Sequence, residues 1–557
     1  MNDDPNGSTP GDATIAPPAR RPVRLAASRW TISASRVFVA LGVVLRFAQL
    51  INGRPLWLDE AMLSLNIVAR GLRDFLGPLD ALQMSPLGFL WLESLVRRVA
   101  GRGEIALRLV PFLAGVVALL AFARLARRLL DPAPALIATA LAALSPLLID
   151  YSAEVKSYGL DALTAILLIH ATLVLAEQGA TRQALRRWAI AGALAAFLST
   201  PAPFTVGGSA LALMAVPRFR SDRRTLVRVA LAALPAALLY ALQLLTVYHS
   251  SATMSFMREF WADTFLDRHV AQAVARLADV ARHLWFRVLF GEPASASLPR
   301  PVVTALLLVS VAGLVSLARS NRLGTLLLLA PPALAVCASR AQLWPLTPRL
   351  LLFAAPAVIV TVSAGLAAAA RLAPPRARAG VLAFLALIVI SGAAMGAVSV
   401  VDEPPRSEPM PAAMAYVREH HGKDATVYVA AYLEAACVYY SAWHPDRERI
   451  GGDPAVGWCA IKGARMVFGG WPVPTSGDGS RAADATPPVS AEWVAKESAR
   501  LLAAATGELW LILIDGPKGS GEVVPEIERA GAVRVAERRW GSVIAREYRC
   551  RPSLGVD

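Results

Sequence analysis

Two adjacent carboxylates, Asp59 and Glu60, stand in the stretch Leu56-Trp57-Leu58-Asp59-Glu60-Ala61, just after the first long apolar run. Charged groups at a membrane boundary are costly to hold without a task. A carboxylate in an apolar, partly desolvated position has its pKa raised, and it can then take a proton from an attacking hydroxyl or amine. A second reading is structural: Asp59 caps the following helix, with Glu60 in its first turn near the positive dipole end. Arg349, at the start of a later apolar run, also has two readings. It is a contact to a lipid phosphate, stabilising a leaving group as charge develops, or an anchor that snorkels to the interface. The segment Asp150-Tyr151-Ser152-Ala153-Glu154-Val155-Lys156-Ser157-Tyr158 falls between two apolar runs and shares a face with Asp59.

The elements that must position these groups are membrane helices. Of 557 residues, 55% are hydrophobic and only 17% are charged, below the roughly 25% of an average soluble chain. Several continuous apolar runs of about 18–25 residues can each cross a bilayer as a helix, and they lack the alternation of a membrane barrel. The net charge of +15 comes largely from Arg clusters between apolar runs. That is the positive-inside pattern, and it argues against nucleic acid as a partner.

Residues 1–33 are rich in Pro, Gly, Ala and Arg and read as a disordered cytoplasmic tail. Arg20, Arg21, Arg24, Arg29 and Arg36 hold this end in the cytoplasm, and no convincing signal-peptide cleavage site follows. A first span over 37–51 delivers Asp59 and Glu60 to the outer face. Residues 60–75 repeat apolar side chains at helical spacing and predict an amphipathic helix on the membrane surface. The segment 86–100 is apolar but short and carries Glu93, Arg97 and Arg98. Read as interfacial or re-entrant, it leaves every strongly basic loop on the cytoplasmic side.

Further spans are expected over 106–129, 133–150, 157–177, 187–199, 202–217, 225–248, 300–318, 322–339, 349–370 and 379–399. The total is about eleven, within a range of nine to thirteen. The pieces around Ser199-Thr200-Pro201 form a tight hairpin or one broken helix. The outer loops are 52–104 and 249–299; the second predicts one or two surface helices, with Phe256, Phe260, Trp261 and Phe265 as membrane anchors or, less readily, sugar platforms.

After a Pro- and Glu-rich linker at 402–411 the composition changes. Strands are expected over 426–430, 465–469, 508–514, 533–537 and 542–548, and helices over 412–421, 491–505 and 522–530. The fold class is therefore a polytopic α-helical membrane protein, its transmembrane domain over 34–400, with an extracytoplasmic α/β domain over 401–557. A mobile loop is expected at 474–487. Of four Cys, Cys437 and Cys459 are the nearest pair in this tail; spacing alone does not settle the pairing. His249 and His283 lack acidic or Cys partners at ligand spacing, so no metal or other cofactor is indicated, although a divalent ion stays compatible with the sequence.

Several segments together resemble the protein O-mannosyltransferase and aminoarabinose-transferase superfamily of GT-C fold glycosyltransferases. They are the aromatic-Leu-Asp-Glu-Ala stretch at 57–61, Ser85-Pro86-Leu87, Gly103-Glu104-Ile105-Ala106-Leu107-Arg108-Leu109-Val110-Pro111, Ser145-Pro146 followed by 151–158, and Pro348-Arg349-Leu350-Leu351. The resemblance covers about 35–370. It implies an inverting sugar transfer from a polyprenyl-phosphate donor to a lipid, glycan or protein acceptor, at the outer face of the inner membrane. On it, Asp59 is the general base and Glu60 orients the acceptor or holds a sugar hydroxyl. Glu154, Lys156, Tyr158 and Arg349 would bind the donor's phosphate and sugar. Arg108 would close a loop or pair a carboxylate. Lys156 stands where the family usually has Arg, and so offers a point charge without the planar fork. The second Pro of the Pro-Pro element is absent, and Ser85 replaces the Lys of some lipid A-modifying relatives. A transporter or flippase for a lipid-linked sugar is the alternative; the lack of paired inverted halves argues against it.

Overall fold

The structure, a computed structural model, describes residues 29–291, 299–450, 459–470, 490–505, 507–515 and 521–550. Of the tail expected over 1–33, residues 1–28 lie outside the described residues, as does the loop expected at 474–487; residues 29–33 are not tail but the first turns of a helix.

The membrane part runs α1 (Arg29–Ile51), α2 (Leu58–Ala69), α3 (Leu87–Ala100), α4 (Leu109–Leu129), α5 (Pro132–Leu144), α6 (Tyr158–Gln178), α7 (Arg182–Leu198), α8 (Ala202–Met214), α9 (Arg223–Leu245), α10 (Ser251–Phe260), α11 (Val270–Leu289), α12 (Arg300–Ser320), α13 (Arg322–Arg340), α14 (Ala355–Ala370) and α15 (Arg378–Asp402). Among the described residues eight helices are long and apolar enough to cross a bilayer, or nine if one bent pair is a single span. Eleven were expected. The difference lies in α7 and α8, of 17 and 13 residues, because a helix rising 1.5 Å per residue needs about 20 residues for a core of about 30 Å. They separate at Ser199–Pro201 and go to different partners, α7 to α9 and α8 to α13. The carbonyl of Thr200 freed at the break accepts from the Tyr240 hydroxyl at 3.2 Å, as backbone at such depth requires.

The bent pair matters most for the site. After α5 the chain turns by 48° into Pro146–Ala153. Pro146 has no N–H to continue the helix, which leaves carbonyls open at the end of α5. Arg46 of α1 fills that gap, donating to Ala142 O and Ala143 O, each at 3.1 Å, and to Gly42 O at 2.9 Å. Ser145 Oγ donates to Val288 O of α11 at 2.7 Å. The turn carrying Asp150, Glu154 and Lys156 is thus pinned to both α1 and α11. Elsewhere α14 packs closely on α12, where Gly313 and Gly365 face the partner backbone and leave no room for a Cβ.

Two surface helices were expected in 249–299, and α10 and α11 occupy that loop. The expectation for 60–75 fails. α2 is buried along Glu60, Ala61, Leu63, Ser64, Asn66, Ile67 and Val68, because it lies between α3 and the C-terminal domain and not on a membrane surface. α3, with 14 residues, is too short to span.

The C-terminal domain comprises α16 (Met410–His420), β1 (Thr426–Val429), α17 (Ala431–Val438), β2 (Arg465–Phe468), α18 (Ala491–Ala504), β3 (Glu508–Ile514), α19 (Val524–Arg529), β4 (Val533–Trp540) and β5 (Val543–Arg549). Its five-stranded sheet has the order β2-β1-β3-β5-β4, parallel at β2-β1-β3 and antiparallel at β3-β5-β4. β3 is buried over Leu509–Ile514 and forms the domain's core. Cys437 and Cys459 are joined by a disulfide.

Candidate active site

α2 begins after Trp57, which makes no side-chain cap, and Asp59 sits inside its first turn. The capping reading of Asp59 therefore does not hold. One helical position apart, the two carboxylates point into different surroundings. The Glu60 side chain is 0% exposed and that of Asp59 is 27% exposed, so Asp59 is the one a substrate can reach.

Glu60 is fully engaged. Its Oε1 accepts from Arg108 Nε at 3.0 Å and from Val155 N at 2.9 Å, and its Oε2 from Arg108 Nη2 at 2.7 Å and Arg54 Nη1 at 3.2 Å. With four donors on two oxygens, it leaves no lone pair for an acceptor or a sugar hydroxyl. Burial pushes its pKa up, but the Arg108 and Arg54 guanidiniums outweigh burial and hold it at about 2. Glu60 thus anchors α2 to the loop before it and to the 150–156 turn. Arg108, from the Gly103–Pro111 element, pairs a carboxylate, and its Nη1 also donates to Arg54 O at 2.6 Å.

Asp59 faces cations from two other elements. Arg349, at the start of the 3₁₀ turn Pro348–Ala354, places Nη1 3.1 Å from Asp59 Oδ2. The Arg349 guanidinium also lies over the Trp261 ring, 4.7 Å from its centroid, so this aromatic holds a charge and is not simply a membrane anchor. Lys156 is buried and donates to Gln83 Oε1 at 2.7 Å. Burial raises the pKa of Asp59, yet the Lys156 and Arg349 charges outweigh it and hold the carboxyl below its ordinary value. The sequence predicts the opposite direction, since spacing did not reveal two cations converging from positions far along the chain. Burial lowers the pKa of Lys156 despite the nearby Asp59 and Glu154 charges.

Glu154 is buried and lies 3.3 Å, Oε2 to Nη2, from Arg406. Burial pushes its pKa up to about 7; Arg406 opposes the rise and Asp150 adds to it. Tyr158 opens α6 with its ring 5.0 Å from that of Tyr151. Asp59, Lys156 and Arg349 therefore converge, with Glu154 and Tyr158 beside them, while Glu60 stands behind as an anchor.

Sequence reasoning missed Arg406, which lies in the linker and bears no periodic signal. It pairs with Asp150, donates to the Tyr151 hydroxyl at 2.9 Å, and stacks over Tyr151 and Trp57 at 4.6 and 5.7 Å. Its only sequence-level signal is a lone Arg in an otherwise acidic, Pro-rich stretch. His283 does have an acidic partner, contrary to the sequence reading: one helical turn back, Asp279 places Oδ2 3.3 Å and its carbonyl O 3.0 Å from His283 Nδ1.

Residues 84–249 match the sequence model of the family described as dolichyl-phosphate-mannose-protein mannosyltransferase. No curated protein sequence matches the chain. Among solved structures, the archaeal oligosaccharyltransferase AglB from Archaeoglobus fulgidus superposes with a TM-score of 0.51 at 14% identity, over 87% of this chain and 69% of that one. ArnT from Cupriavidus metallidurans superposes with a TM-score of 0.51 at 13% identity, over 93% of this chain and 98% of that one. The chain thus shares the fold of these membrane proteins, and its residues 84–249 resemble the dolichyl-phosphate-mannose-protein mannosyltransferase family.

Proposed function

We propose that the chain transfers a sugar from a polyprenyl-phosphate donor to a lipid, glycan or protein acceptor at the outer face of the inner membrane, with Asp59 as general base. The observation that carries this reading is the meeting of Asp59, the accessible carboxylate of the adjacent pair, with Arg349, 3.1 Å away, and with the charge of Lys156. A base and a cationic phosphate site are the two parts an inverting transfer from a lipid phosphate needs. The AglB structure, similar in fold, is described as a complex with an inhibitory peptide and a dolichol-phosphate.

On this reading the donor phosphate takes the Arg349 guanidinium from Asp59. The freed carboxylate accepts the proton of the acceptor hydroxyl or amine. The acceptor atom forms a bond to the anomeric carbon as the carbon–oxygen bond to phosphate breaks, and the anomeric configuration inverts. The bonding electrons leave with the polyprenyl phosphate, whose charge Arg349 and Lys156 stabilise. Residues 34–400 form the transferase body and 401–557 an extracytoplasmic domain, which suits a compartment where the Cys437–Cys459 disulfide persists.

The test is a transfer assay on the purified full chain in detergent, with a panel of radiolabelled polyprenyl-phosphate sugars and Asp59→Asn as control. Asp59-dependent movement of label from lipid to acceptor is the expected result. Specific lipid binding with no turnover of any donor would move the reading to a flippase.

A further inference from the structure

Resting on the reading of Asp59 as base, we propose that the C-terminal domain is a positioning part of the active site, acting through Tyr440 and Arg406 on the two segments that carry Asp59 and Glu154. The loop from Asn52 to Trp57 has no regular structure, and α2 starts without a side-chain cap. Arg108 and Glu60 hold this loop at Arg54 from within the membrane part, and the other domain holds it at Leu56, next to α2. Tyr440, in the short π turn after α17, accepts the Leu56 N–H at 2.8 Å and donates to Glu104 Oε1 at 2.9 Å. His444 Nε2 lies 2.9 Å from the other oxygen of Glu104, and Nδ1 of the same ring takes the Asp446 N–H at 3.1 Å. With Nδ1 accepting, Nε2 is the donor to Glu104. The Tyr440 side chain is completely buried, so these bonds are shielded from water and rigid. Leu56 is three residues before Asp59.

Arg406 acts from the linker between α15 and the domain. Its carbonyl accepts from Arg54, the same side chain that donates to Glu60. Its guanidinium bridges Asp150 and Glu154 and fits between the Trp57 and Tyr151 rings. The exits of the first and last spans are tied as well, by Asn52 Nδ2 to Val401 O at 3.1 Å. A domain that merely roofs the cavity would touch it at side-chain rims. This one bonds to the backbone leading into Asp59 and neutralises the acidic turn opposite it.

The experiment uses the full-length protein in detergent. Tyr440→Phe keeps the ring stacking on Tyr439 and His444 and removes only the hydroxyl. Arg406→Gln removes the bridge, and Arg406→Lys serves as the charge-conserving variant. Glu537→Gln, on an exposed part of β4, is the control. In Tyr440→Phe we expect faster hydrogen exchange in a peptide over 52–60, unchanged binding of polyprenyl phosphate, and a kcat lowered about ten- to a hundred-fold, the scale of a sub-ångström to ångström misplacement. In Arg406→Gln we expect faster exchange over 150–156, partly restored by Lys. Wild-type exchange in both variants overturns the proposal, and so does lost protection with unchanged kcat. A wild-type chain that transfers nothing defeats the proposed function instead, and the exchange arm still decides the interdomain contact.

Discussion

Arg349 Nη1 and Asp59 Oδ2 stand 3.1 Å apart although 290 positions separate the residues. The only accessible carboxylate of the pair is therefore neutralised by a cation which, on the proposed reading, would bind the donor phosphate. A phosphate that takes Arg349 restores the basicity of Asp59, so donor binding would precede and enable proton removal.

Asp59→Asn should abolish transfer, by about 10²–10⁴-fold in kcat, while donor binding persists or tightens because Arg349 loses its competing carboxylate. Equilibrium binding of a fluorescent polyprenyl phosphate, measured beside turnover, checks it. Weakened binding would show that Asp59 helps to hold the donor.

Arg349→Lys keeps the charge but loses the planar group that lies over Trp261. Arg349→Gln should lower kcat by roughly 10²–10³-fold, as for removal of one stabilising donor at a developing charge. Lys should rescue part of this. Trp261→Leu should cost about 0.5–2 kcal/mol in donor affinity, read from KM at saturating acceptor.

Glu60→Gln leaves two buried guanidiniums with half their partner, a change that typically costs about 3–5 kcal/mol. We expect a clear fall in thermal midpoint. The pH dependence has a defined sign. The Glu60 pKa falls from 4.5 to about 2 on folding, so its stabilisation is full above pH 4.5 and lost as pH drops through about 2. Thermal scans from pH 6 downward should show an acid-side loss that is reduced in Glu60→Gln.

Glu154 has the opposite sign. Burial raises its pKa from 4.5 to about 7, so the folded state binds a proton more tightly than the unfolded one. Its contribution is full below pH 4.5 and is lost as pH rises through about 7. Glu154→Gln should flatten the decline in thermal midpoint between those limits. An unchanged slope would show that Arg406 keeps Glu154 ionised throughout.

The membrane class, the five strands of the C-terminal sheet and the segments carrying Asp59, Lys156 and Arg349 were legible in the sequence. Each rests on local signals: continuous apolar runs, short β-rich runs between turn residues, and motif order. Local signals also misled. The apolar pattern over 60–75 is the same for a helix facing lipid and for one facing a second domain, and only packing against α17 distinguishes them. The proline break at Ser199–Pro201 was legible, but that the two short helices beside it go to different partners was not.

The sequence by itself determined which residue types were on hand at the membrane boundary: three carboxylates, a Lys, an Arg and a tyrosine. Only the tertiary structure decided what each does. Charge state and access depend on through-space neighbours, and these come from positions far apart in the chain. Arg108 and Arg54 consume Glu60, and Arg349 and Lys156 hold Asp59 down. Arg406, from a Pro- and Glu-rich linker without periodicity, completes the acidic turn. A pKa or a hydrogen bond is set over a few ångströms, and spacing along the chain does not record those distances.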